Sequence, residues 1–234
     1  MQKTSRFVAF FFIFILAMVV WGFYRTYFGL FPNFKGVTSA QHFHGAMFML
    51  WFVFLIVQPL LIRYNQISLH RMIGKTSYVI GPLVALSILV VSRSGYERML
   101  SENAPRAQAI GDLSLGIPNT FAFLLFYILA MVNRKKTYFH MRYILATALL
   151  LIGPGLGRVL IQYFGFTFEH ALNTVYVIEG LIALGLMIYD ISRKNSYKPY
   201  LTVALSILVL FICFHYEMSG WWQAFGGAFA KIFF

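Results

Sequence analysis

Residues 41–74 read QHFHGAMFMLWFVFLIVQPLLIRYNQISLHRMIG. The middle of this stretch is an unbroken apolar run close to the roughly 20 residues a helix needs to cross hydrocarbon. His42 and His44 stand at one end of the run, and His70-Arg71 lie just past the other. On a 3.6-residue period His44, Met47, Trp51, Leu55 and Gln58 fall along one side, which is therefore expected to face protein rather than lipid. Ionisable groups this close to lipid are costly, so where they stand is a functional lead.

Outward from this segment the same pattern recurs. Apolar runs lie at about 7–24, 43–62, 74–92, 113–132, 141–163, 171–190 and 200–218. The runs are continuously apolar rather than alternating, which favours helices strongly over a barrel. With 60% hydrophobic and only 11% charged residues, the chain has too little polar surface to cover a water-soluble globule. The expectation is an all-α integral membrane domain over 1–234, with seven transmembrane helices and a short interfacial tail at 219–234. The first run follows Lys3 and Arg6, is long and aromatic, and lacks a small-residue cleavage site, so it reads as an uncleaved helix.

Basic residues set the expected orientation. Placing the N-terminus inside puts 12 Lys and Arg in inner segments, among them Arg63, Arg71, Lys75, Arg134, Lys135, Lys136 and Lys198, against 6 in outer ones. This predicts an N-in, C-out protein. The net charge of +12 is then a topology signal that suits anionic lipid and not nucleic acid.

Three inner loops, LIRYNQISLHRMIG, MVNRKKTYFHMRYI and YDISRKNSYKPYLT, each join two apolar runs through a basic turn. Arg63 to His70 and Asn133 to His140 share one spacing, and each of those hairpins later carries a Gly-Pro pair, Gly81-Pro82 and Gly153-Pro154. One leading helix followed by three related helical hairpins fits this pattern. Kinks at the two prolines are expected to open the outer half or middle of the bundle.

The string H-x-H-G, Trp51, Gln58-Pro59 and L-H-R-x-x-G resembles a family of small multi-pass bacterial inner-membrane proteins of unknown function. So do His140-Met141-Arg142, Arg158, and Tyr189-Asp190 followed by Pro199. The likeness covers roughly residues 42–200. It implies the topology and transfers no activity. Lys198-Pro199 departs from a His-Pro frequent in that family.

In the N-in arrangement His42, His44, His170 and His215 all lie toward the outer face, and His70 and His140 toward the inner one. Two layers of histidine could serve haem b, since bis-imidazole ligation needs one histidine from each of two facing helices. Cys213, His215 and Met218, with His44 and Met47, offer soft ligands for copper(I). Convergence of His44, His170 and His215, with His42 as a substitute, would suit zinc. His44 and His215, with Arg158 near an anionic ligand, define the expected cofactor pocket and a redox or metal-handling role. The alternative is a proton- or anion-coupled transporter or channel built on Glu179 near the middle of its span and Arg158, the two paired, with Asp112 and Asn119 lining the cavity. A third expectation is a structural subunit bound to a membrane-protein partner.

Overall fold

Local chemistry delimits each helix before any packing is considered. The computed structural model describes residues 2–234, with side chains from Arg6 onward, so the Lys3 side chain falls outside the described residues. Helix α1 covers Gln2–Gly22. After a short 3-10 turn at Phe28–Leu30, α2 runs Ser39–Arg63 and is started by a capping box between Thr38 and Gln41. Helices α3, Ile67–Ser101, and α4, Arg106–Val132, follow. Asn65 and Asn103 turn the chain between them with positive φ, a conformation asparagine tolerates better than most residues. The remaining helices are α5, Thr137–Leu149, α6, Ile152–Phe164, α7, Phe168–Ser192, α8, Lys198–His215, and α9, Gly220–Phe233. Every regular element among the described residues is helical.

Among the described residues six stretches are long and apolar enough to cross a membrane: α2, α3, α4, α5 together with α6, α7 and α8. Helix α1 contributes a shorter apolar stretch, Arg6–Gly22. Large apolar side chains such as Phe7, Phe14, Val132, Leu181 and Ile188 point outward. That surface suits lipid rather than water, and the protein is a multi-pass membrane protein.

Three features differ from the hydropathy reading. Helix α3 extends well beyond 74–92 at both ends, to 35 residues or about 52 Å. Hydropathy marks where a chain meets lipid, whereas the helix continues through polar positions, helped by an exposed Arg93–Glu97 pair at 2.8 Å. It also stays one helix through Pro82. The run at 141–163 divides instead, into α5 and α6, with Leu150 and Leu151 between them. The tail folds into α9 and packs on α4. There the Trp222 indole donates to the Ile110 carbonyl at 3.1 Å, and the Gln223 amide donates to Ala107 at 3.0 Å. Trp222 is buried in that contact while Trp221 and Phe225 stay exposed.

Helices α1, α2, α3, α4, α8, α7 and α6 each pack on the next, and α6 returns to α1. The divided helix therefore has two environments. Its first half, α5, lies against α4 and α8, and its second half, α6, sits between α1 and α7. Trp51, Phe52, Leu55, Phe123, Phe126, Tyr127 and Leu149 form the centre of the apolar core. Trp51 and Leu55 belong to the predicted stripe of α2, which faces protein.

Candidate functional site

The break between α5 and α6 organises the polar groups inside the bundle. Pro154 has no N–H to give back to the preceding turn, and the chain tightens there, with Leu151 N donating to Ala148 O at 3.0 Å in 3-10 fashion. A second half-helix thus begins within a membrane-spanning stretch, where the first N–H groups of a helix lack partners. Glu179 of α7 is 3% exposed and engages the Gly153 backbone. Gly153 permits this approach, because a Cβ there would lie 3.2 Å from Glu179 Oε1. A carboxylate at a helix N-terminus is favoured by the helix dipole as well as by the bond.

One turn further along α6 is Arg158. Its Nη1 donates to the Pro154 carbonyl at 3.1 Å, and its guanidinium lies 4.1 Å from the centre of the Phe23 ring. The expected Arg158–Glu179 ion pair is not among the salt bridges of the described residues. Arg158 turns toward α1 and Glu179 toward the α6 N-terminus, so both engage α6 without bonding each other. Small residues allow α1 this close. A Cβ on Gly155 would be 3.0 Å from the Val19 Cα, and one on Gly22 would strike the Gly155 carbonyl.

His44 approaches the same region from α2. Its Nδ1 lies 3.2 Å from the Ser87 oxygen. Ser87 already donates its proton to Val84 O at 2.7 Å, so His44 Nδ1 must be the donor. Its Nε2 then carries the lone pair. Arg158 is near enough to act on this ring electrostatically.

The other outer histidines go elsewhere. His42 Nδ1 meets the Tyr27 hydroxyl at 2.9 Å, and His170 Nδ1 meets the Thr167 hydroxyl at 2.7 Å beside the cap of α7. His215 Nε2 donates to the Asn173 amide oxygen at 2.7 Å, with its ring 4.2 Å from that of Phe211. His44 lies on a helix packed against α1 and α3, and His215 on one packed against α4, α5 and α7. Among the described residues no three His, Cys, Asp or Glu side chains come together as a metal site, which is the convergence the zinc reading needs. Asn119 donates to its own helix at Leu115 O. Asp112 lies near Gly95 of α3, on the side of α4 away from α6.

The most strongly bonded polar group was not singled out from sequence. Arg142 of α5 holds Asp190 of α7 in a bidentate ion pair, Nε to Oδ2 at 2.5 Å and Nη2 to Oδ1. Both residues are buried, Asp190 completely. The guanidinium lies 3.4 Å from the centre of the Tyr138 ring, and Tyr138 donates to the Ser196 carbonyl at 2.8 Å. The available signal was Asp190 itself, an acid in the last turn of an apolar helix, which demands a cationic partner. Arg142 and Asp190 both stand in the motifs of the resemblance, with nothing in their spacing to pair them.

No family model, no curated protein and no solved structure matches this chain, so the motif resemblance stays a resemblance and brings no activity with it.

Proposed function

We propose that the protein is a seven-helix inner-membrane transporter or channel-like protein that handles protons and a small anion in its outer half. In this reading α1 is the seventh span, the N-terminus is inside and the C-terminus outside. Glu179 is the proton-carrying group, Arg158 faces the anion, and His44, with its Nε2 lone pair, relays protons between the outer surface and the break. The observation that supports it is the divided helix, with a buried carboxyl at the start of its second half. Discontinuous helices at mid-membrane depth are how transporters present backbone dipoles to ions.

The test is proton flux into liposomes holding a pH-sensitive dye, measured under a potential and with different anions. Glu179→Gln is expected to abolish flux while leaving the folded protein intact by size exclusion and thermal melting. Arg158→Ala is expected to change anion dependence. Flux in Glu179→Gln equal to that of the native protein would sink the proposal. Haem or transition-metal chemistry at the outer histidines draws no support from their arrangement, since each ring serves a different neighbour.

A further inference from the structure

We propose that the inner end of the bundle holds a divalent transition-metal ion between His70 of α3 and His140 of α5, with the side-chain oxygen of Gln58 of α2 as third donor. The two rings are prepared in the same way. His140 Nδ1 donates to the Ala130 carbonyl at 2.8 Å, one of the last carbonyls of α4, which leaves Nε2 as its lone-pair nitrogen. His70 bonds to the backbone of Gln58. Its Nδ1 is buried without a partner. The rings are close enough to act on one another electrostatically.

Beside His70 the Gln58 amide is buried with neither its oxygen nor its nitrogen bonded. Gly74 leaves room beside it, since a Cβ there would meet Gln58 Oε1 at 3.8 Å and nothing else within 4 Å. A buried polar atom without a partner is destabilising. Three such atoms on two touching residues point to a bound species. Two imidazole nitrogens and an amide oxygen suit zinc, copper, nickel or iron(II) over magnesium or calcium. Imidazoles fixed by bonds to backbone carbonyls are the usual support for metal-ligating histidines. All three donors are neutral and Arg71 stands beside His70, although exposed to solvent. The ion therefore keeps its charge, binds in exchange with solution and leaves a position open to water.

Full-length protein in lipid nanodiscs, stripped with a chelator, is titrated with cobalt(II), read by its visible d–d bands and competed with zinc. The expected result is saturable binding of a single cobalt ion that zinc displaces. His70→Ala and His140→Ala should each weaken it at least about tenfold, with His44→Ala and His215→Ala unchanged. Should His140→Ala fail to fold through loss of its bond to α4, His70→Phe and Gln58→Leu carry the comparison. No saturable binding, as expected if only water fills the space, would overturn the inference. Equal affinity in the His70 and Gln58 variants, or loss of binding in the outer variants, would overturn it too.

Discussion

Glu217 shows how little of a residue's environment a sequence discloses. It follows α8 at the edge of the bundle, where Ser114 of α4 donates to its carboxylate at 3.3 Å. Burial pushes its carboxyl above the usual range and nearby Asp112 adds to that, with the Ser114 bond opposing. A raised folded-state value means the ionised form is the disfavoured one in the native protein. The penalty is absent below the ordinary carboxylate range and grows as pH rises through the raised value. Glu217→Gln should therefore melt at a more nearly constant temperature across the acidic range, gaining on the native protein as pH increases. Parallel melting curves at every pH would contradict this. At this scale the sequence located Glu179, Arg158 and His44 within or beside spans but not their partners. Ser87, Gly153 and Phe23 lie on other segments of the chain and meet these groups through packing that no local pattern encodes.

Among elements, the divided helix was half legible. The Gly153-Pro154 pair announced a disturbance, and a missing N–H with a carboxyl nearby made it a break. Pro82, with a similar signal, sits inside a continuous α3, so a proline alone does not decide. The glycines of α1 and α6 yield a sharper expectation. Gly155→Leu would drive its side chain into Val19, and overpacking of this kind costs about 1–3 kcal/mol. Thermal melting in detergent should fall accordingly, whereas Gly185→Leu, at a position with open space, should be nearly silent. The Arg142–Asp190 pair is the tightest polar link between elements. Arg142→Ala leaves a buried carboxylate without its partner and should destabilise by about 3–5 kcal/mol, while the double change with Asp190→Ala should recover part of the loss.

For the whole molecule, composition and run length sufficed for the class, because covering so much apolar surface in water is impossible. Helix adjacency was beyond reach. The order of packing depends on which small residues meet, as Gly22 and Gly155 do, and such pairs carry no signature when read one at a time. Orientation is checkable directly. Cys213 is buried, so a cysteine placed at Lys135 or Lys231, both exposed, gives a clean label in cells. An impermeant thiol reagent should modify Lys231→Cys from outside and reach Lys135→Cys only after the membrane is opened. The reverse pattern would invert the proposed topology and move Glu179 and Arg158 to the cytoplasmic half.

The ion pair at Arg142 has a mechanical meaning as well. It fastens α5 to α7 by charge at one end of the molecule, and the Tyr138–Ser196 bond ties the same end to the turn before α8. Beyond Leu151, α6 meets α1 through the close glycine contact of Gly22 with Gly155, and Arg25 donates to the Gln162 carbonyl near its far end at 3.0 Å. Any rocking of this helix would swing α6 about the Arg142 pivot, sliding Arg158 along Phe23 and lifting Gly153 off Glu179.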